Sequence, residues 1–365
     1  MKTKLLLLIS CFLLSFSINA QINWELLNPQ PLQNSGKNIE FLSKGHGFII
    51  TSNELLETTD AGESWTHLGL EDSWHIGEIA IHPTNPDIVI VAVLGHFWSD
   101  NKNRGLYRTE DGGKSWKNMG LKNSEHISEI LVDPRNSDVV YAASQGPLWS
   151  SGGERGVYKS VDGGKTWKRT LGDDQWVGAT DLVIDPRNPD VLYAATWQRH
   201  RTVAGYLGGG PGSGLHKSTD GGETWNKVLY ANTKTGVADL VMDPKNPNKL
   251  IAALWEHKRD PWFFNSGGVG SGIHITYDGG KNWKKITSED GLPDGDLGRI
   301  GLAIAPNKTN IVYALVEAKK NGLYKSVDGG LKWEKVNENM NEIGNRPFYY
   351  ADLYVDPQNE NKADE

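Results

Sequence analysis

The sequence predicts an all-β fold, a β-propeller of four-stranded blades. Three observations carry that prediction. A turn of the form S/T-x-D-x-G-x-x-W occurs at residues 58–65, 109–116, 160–167, 218–225, 276–283 and 326–333, one copy every 50 to 58 residues. Short apolar runs bounded by Gly, Pro, Asn and Asp alternate with these turns, and no stretch sustains a helical period. The composition agrees: 42 Gly and 14 Trp in 365 residues suit many tight turns, each beside a large ring. Four-stranded sheets repeated at this period are the signature of a propeller.

Each repeat can be read in order. Strand A is an apolar run such as 128–133, and it ends in a proline turn at 82–87, 133–138, 185–190, 243–248 or, more loosely, 305–308. Strand B follows, as at 139–143, and strand C starts after Gly105, Gly156, Gly214, Gly272 or Gly322. The Asp turn comes next, and its Trp opens strand D. The carboxylates of Asp60, Asp111, Asp162, Asp220, Asp278 and Asp328 are expected to accept backbone N–H groups of their own turns. The second Gly stands in all six copies, whereas Ala61 replaces the first in one. The second position is therefore expected to require φ > 0 and the first not.

This gives six complete blades, roughly 39–68, 76–119, 127–171, 179–229, 237–287 and 299–336, and an incomplete seventh. Trp24 begins a segment that reads as the seventh blade's strand D, and residues 350–357 read as its strand A and turn. Strands B and C of that blade are missing. The reading is of one propeller over 21–365, either truncated at its C-terminus or an incomplete seven-blade ring, with a further C-terminal propeller region as a candidate partner. A poorly stable or oligomeric product is expected from it.

Residues 1–20 read as a secretory signal: Lys2 and Lys4, an apolar stretch, then Ala20 before Gln21. A lipoprotein signal ending at Cys11 is the rival reading. The protein is expected to be secreted, periplasmic or on the cell surface. Cleavage after Ala20 removes the single cysteine, so disulfides and a thiolate nucleophile drop out. It also removes two lysines from a chain whose net charge is already −7, which argues against nucleic acid as a partner. No later stretch is apolar and long enough to span a membrane. The ten histidines lack metal-ligand spacing, so neither a metal nor another cofactor is expected.

Because strand direction alternates, the A–B and C–D turns share one end of the blades, and both read as scaffold. The B–C and D–A loops share the other end, where function is sought. They hold Trp74, Trp98, Trp149, Trp176, Trp197, Trp255 and Trp262, with Arg199, Arg201, His257 and Arg259 beside them. Rings next to Arg and His suit stacking on sugars or gripping a peptide, and the arginines suit a carboxylate. The same rings would also serve to plug the channel, and the arginines to pair with Asp173, Asp174 or Asp260. Residues 208–214 superficially resemble a phosphate loop but lack the following Lys-Ser/Thr, and read instead as a flexible B–C loop.

Five residues before the turn prolines stand Glu78, Glu129, Asp181, Asp239 and Asp352, with Gly301 in that register in the sixth blade and Arg299 nearby. Paired carboxylates suit glycoside hydrolysis. Repetition in nearly every blade favours a structural role. Asp181 and Asp239, beside the two longest loops, are the best catalytic candidates.

The six turns are the Asp box of BNR repeats. With segments 70–72 (LED), 95–98 (GHFW), 197–201 (WQRHR), 208–214 (GGGPGSG), 297–302 (LGRIGL) and 346–350 (RPFYY), nearly everything after residue 22 resembles one group. That group is the N-terminal part of large secreted bacterial proteins with sortilin-like regions, commonly called glycosyl hydrolases. Sialidases, xyloglucanases, sortilins and photosystem assembly factors also carry Asp boxes. The resemblance implies either a module that binds glycan or peptide through the loop face, or a xyloglucanase-like glycosidase. Xyloglucanases place acid and base across a cleft between two propellers, and this chain supplies one ring. Sialidases carry an Arg-Ile-Pro motif that is absent here, and sortilin receptors carry a cysteine-rich module and an anchor. Binding is therefore the favoured expectation.

Overall fold

The computed structural model describes residues 38–364 except 42–44, 51–54, 71–72, 83, 97–101, 173, 344–347, 349–350 and 357. The signal at 1–20, the strand D beginning at Trp24, and Trp98 lie outside the described residues.

The first sheet is β1 (Asn38–Phe41), β2 (Gly47–Ile50), β3 (Leu55–Thr58) and β4 (Thr66–His67). The second is β5 (Ile76–Ile81), β6 (Val89–Val93), β7 (Gly105–Thr109) and β8 (Lys117–Asn118), and the third is β9 (Ile127–Val132), β10 (Val140–Ser144), β11 (Gly156–Ser160) and β12 (Lys168–Leu171). In the fourth, β13 (Val177–Ile184) and β14 (Leu192–Gln198) precede a short hairpin, β15 (His200–Arg201) and β16 (Tyr206–Leu207). The sheet then resumes with β17 (Gly214–Ser218) and β18 (Asn226–Leu229). The fifth holds β19 (Thr235–Met242), β20 (Leu250–Asp260), β22 (Gly272–Thr276) and β23 (Lys284–Lys285), with β21 (Phe263–Ser266) on the far end of β20. The sixth is β24 (Ile300–Ile304), β25 (Val312–Val316), β26 (Gly322–Ser326) and β27 (Glu334–Asn337). A two-stranded pair, β28 (Tyr354–Val355) and β29 (Ala363–Asp364), follows. The expected all-β propeller of four-stranded antiparallel sheets is therefore what the chain forms. The C-terminal segment goes one step beyond the expected strand A, because β29 begins strand B.

The core lies between neighbouring sheets. Ile90, Ala92, Leu106 and Met119 of the second sheet pack on Ile127, Ile130, Val140 and Ala142 of the third. The second strand of each sheet is flanked on both faces, so it reads as an unbroken apolar run, and β6 and β10 are buried throughout. The second strands carry small residues in this core: Ala142, Ala143, Ala194, Ala195, Ala252 and Ala253 are all fully buried.

Each Asp box works as its sequence suggests. In the second sheet, the Ser115 N–H and hydroxyl donate to Asp111, and the Thr109 hydroxyl accepts the Gly113 N–H. Ser115 above all holds the Asp111 carboxyl down at about 2. The glycine expectation needs correction. Both positions are left-handed in every copy, as in Gly112 (φ 67) and Gly113 (φ 84), and Ala61 itself sits at φ 63. The Trp also does more than cover its own turn. The Trp116 and Trp167 indole N–H groups donate to the carbonyls of Leu68 and Met119 in the preceding sheets, at 2.5 and 2.8 Å.

The two turn types share one end, as alternation requires. The Gly112 N–H donates to the Asp87 carbonyl and the Gly163 N–H to Asp138. Tyr141 and Tyr193 reach the Gly221 and Gly279 carbonyls of the next sheets, so this end is stitched from sheet to sheet.

Candidate functional site

At the opposite end the loops build a structure of their own. The β15–β16 hairpin rises from the fourth sheet and pairs with β20 of the fifth, whose far end also pairs with β21. Two B–C loops from neighbouring sheets thus join into one four-stranded antiparallel patch. Its register aligns Arg201, Tyr206, Arg259 and Phe264 in one row. Directly opposed residues share a face of the sheet, so cation and ring alternate across that face.

The rings and cations touch. The Arg201 guanidinium lies 4.5 Å from the Trp149 ring centroid and 5.7 Å from Tyr206. Arg199 lies 5.1 Å from Trp197 and 5.6 Å from Tyr206. Its Nε donates to the Tyr206 hydroxyl at 3.1 Å and its Nη1 to Gln145 Oε1 at 2.6 Å. Arg259 lies 4.6 Å from Phe264, which meets Phe348 edge-on at 5.1 Å. Such contacts are worth roughly 0.5–2 kcal/mol each, depending on desolvation.

The candidates therefore divide by depth. Trp149 is 45% exposed and Trp262, at the tip between β20 and β21, is 85% exposed. Trp176 is half-buried against His200 at 3.9 Å. Trp197 and Trp255 were expected in loops but lie within β14 and β20, and Trp255 is buried. His257 is 2% exposed and stacks on Trp255 at 3.6 Å. Burial pushes its pKa down to about 3, so it is neutral at ordinary pH, and both its ring nitrogens lack a partner among the described residues. Trp255 and His257 support the face from beneath rather than present themselves to a ligand. Of the acids that offered an alternative role for the arginines, Asp260 pairs with Lys258 at 3.0 Å and Asp173 lies outside the described residues, and neither Arg199 nor Arg201 forms an ion pair among the described residues.

The glycine run at 208–214 is corrected from a flexible loop to a tightly packed one. A Cβ on Gly208 would fall 1.8 Å from His257 Cε1, one on Gly209 would fall 2.0 Å from the Lys234 backbone, and one on Gly212 would fall 2.2 Å from Val177. These glycines exist for close approach.

The inner carboxylates lie on the first strands, which pack against one another from sheet to sheet. Glu78, Glu129, Asp181 and Asp239 each follow a β-bulge at the preceding residue, which re-aims the side chain. Asp181 accepts the N–H of Leu182 at 2.7 Å and that of Leu240 in the next sheet at 2.9 Å. Asp239 accepts the Leu302 N–H at 2.7 Å. β24 has no bulge and no carboxylate in that register: a Cβ on Gly301 would meet the Ala351 carbonyl at 1.5 Å. Arg299 instead approaches Asp352 at 3.7 Å.

Burial raises the pKa of Asp181 and Asp239, and like charges add to it, Glu78 for the first and Asp181 for the second. Tyr354 is 59% exposed as a residue, yet desolvation of its hydroxyl and then the Asp352, Glu78, Asp239 and Glu129 carboxylates push its pKa up. The charge of Glu78 in the second sheet thus bears on Asp181 in the fourth, and that of Asp181 on Asp239 in the fifth. The bulges and the inter-loop sheet were not read from the sequence. The turn residues 202–205, between two short polar-aromatic runs, were the available signal for the sheet. Among the described residues no cluster of His, Asp and Glu has metal-binding geometry, and no helix is long and apolar enough to cross a membrane.

The profile of the Sortilin-Vps10 family (Sortilin, neurotensin receptor 3) matches residues 104–229 and 155–293. An oligoxyloglucan-reducing end-specific xyloglucanase of Emericella nidulans is 25% identical over 294 residues, 74% of this chain and 32% of the relative. A xyloglucanase of Hypocrea jecorina is 24% identical over 331 residues, 80% of this chain and 37% of the relative. The solved GH74 xyloglucanase of Xanthomonas campestris aligns with a TM-score of 0.62 at 16% identity, over 90% of this chain and 50% of its own. The chain spans about a third of the length of these curated relatives. The structural likeness supports the β-propeller fold.

Proposed function

We propose, from the premise that the chain belongs to the Sortilin-Vps10 family whose profile covers residues 104–293, that it is a glycoside-hydrolase-like propeller whose loop face holds a polysaccharide. The sequence alone favours a binding module. The xyloglucanase relatives shift the weight toward a propeller that serves hydrolysis, with polysaccharide rather than peptide as the ligand. The observation that carries this reading is the sheet built by β15, β16, β20 and β21. It aligns Arg201, Tyr206, Arg259 and Phe264 on one face and sets Trp149 beside them. Flat rings match the apolar faces of sugars, and the arginine forks match hydroxyl and carboxylate groups.

A catalytic role for Asp181 and Asp239 is the second reading. Their raised pKa favours it, since a general acid must hold its proton near neutral pH. Their bonds to backbone N–H groups of neighbouring sheets favour the structural role. We further propose, on the signal-like pattern of residues 1–20, that the protein acts outside the cytoplasm, with a further propeller region as a candidate partner. A polysaccharide hydrolysis screen with Asp181→Asn and Asp239→Asn tests the catalytic part. Activity that vanishes in either variant at an unchanged melting temperature supports catalysis by this pair. Activity that survives in both assigns the pair to the scaffold.

A further inference from the structure

We infer that the Arg199–Arg201 segment selects a sugar bearing a carboxylate, a hexuronate unit, within the polysaccharide. The inference rests on the polysaccharide reading above and narrows its substrate class. It starts from an electrostatic imbalance. On a chain of net charge −7, several arginines find acids: Arg104 pairs with Glu125, Arg108 with Glu110, Arg135 with Asp133 and Asp190, and Arg187 with Asp185, while the buried Arg155 is held by backbone carbonyls. Arg199 and Arg201 pair with none among the described residues. Arg201 makes no side-chain hydrogen bond there either; rings contact it, Trp149 at 4.5 Å and Tyr206 at 5.7 Å.

Stacking uses the face of a guanidinium and leaves its in-plane N–H donors free. Arg201 is half-buried, so those donors are only partly hydrated. Its partner Arg199 is pinned by Tyr206 and Gln145, which fixes its orientation without cancelling its charge. Two oriented cations beside the exposed Trp149 ring present a fork for a carboxylate and a platform for the sugar that carries it. A neutral hydroxyl would leave both charges uncompensated. A hexuronate would satisfy the fork and the platform together.

The test is calorimetric binding of the full chain to oligogalacturonate, to its methyl ester, to a neutral xyloglucan oligosaccharide and to an acidic peptide. Oligogalacturonate is expected to bind at least about tenfold more tightly than its ester, as befits charge-assisted hydrogen bonds. Arg201→Gln is expected to remove that preference, and Arg201→Lys, which keeps the charge but loses the fork, to retain part of it. A thermal melt of each variant separates lost recognition from lost folding. Equal binding of acid and ester, or binding of the neutral oligosaccharide alone, would overturn the inference and leave the polysaccharide reading standing. Binding of the peptide and of no sugar would overturn both.

Discussion

The Asp239 carboxylate accepts the Leu302 backbone N–H at 2.7 Å, so one side chain of β19 ties the fifth sheet to the sixth. Asp181 does the same for Leu240 across the preceding interface. Neighbouring sheets share no backbone ladder at this level, and the carboxylates supply an acceptor that a strand partner would otherwise provide. Asp239→Ala leaves the Leu302 N–H without its partner and is expected to cost about 1–3 kcal/mol. Asp239→Asn keeps an acceptor oxygen and should cost less. Urea unfolding of the two variants measures the difference, and equal losses would contradict the stitching role.

Stability should also fall as pH rises through neutrality. Burial keeps Asp181 and Asp239 protonated in the folded chain to higher pH than in the unfolded chain, where carboxyls ionise near pH ~4. Over that interval the folded state holds more protons, so raising the pH costs stability. The buried His126, His216, His257 and His274 are pushed down by burial and oppose this trend only in acid, where the unfolded chain takes up protons first. The unfolded imidazoles titrate around pH ~6.5, so from about pH 7.5 upward the histidines are neutral in both states. The urea midpoint is therefore expected to drop between about pH 7.5 and 8.5 in the native sequence, and to flatten in the Asp181→Asn, Asp239→Asn double variant. A midpoint that rises over this range would contradict the assignment.

Ala61 offers a stabilising change. It occupies a left-handed position, φ 63, where the other five Asp boxes place glycine. The Cβ penalty there exceeds the entropy that glycine loses on folding. Ala61→Gly is expected to add about 1 kcal/mol, read as a higher melting temperature.

Gly208→Ala should do the opposite. The new Cβ would fall 1.8 Å from His257 Cε1, and His257 is held between Trp255 and Tyr206 with no room to yield. A loss of about 1–3 kcal/mol is expected from overpacking, together with weaker ligand binding, because the β15–β16 hairpin must shift. Unchanged stability would show that this junction is looser than the packing indicates.

The repeat was legible because every copy writes its own turn chemistry. The Asp, the paired Gly and the Trp recur, so fold class and strand order follow from local rules. The loop face was legible only as a collection of residues. Trp149 and Trp255 look alike in the sequence, yet one stands at the surface and the other is buried inside β20. That difference arises because β20 runs on past its own sheet to pair with β16 and β21, a long-range pairing that no local pattern specifies. The bulges before Glu78, Glu129, Asp181 and Asp239 were hidden for a similar reason. A bulge is set by the partner strand, and the residues that form it carry no common sequence signal. Even the first Gly of the Asp box misled, because a single Ala tolerated at a strained φ looks like freedom from strain.

The central claim is that the face formed by β15, β16, β20, β21 and Trp149 holds polysaccharide. Isothermal titration of the full chain with xyloglucan and with polygalacturonate, in the native sequence and in Trp149→Ala, tests it most directly. The account predicts binding to at least one of the two and about a tenfold loss in the variant at an unchanged melting temperature. Undiminished affinity in Trp149→Ala, or no binding to either polysaccharide, would contradict it.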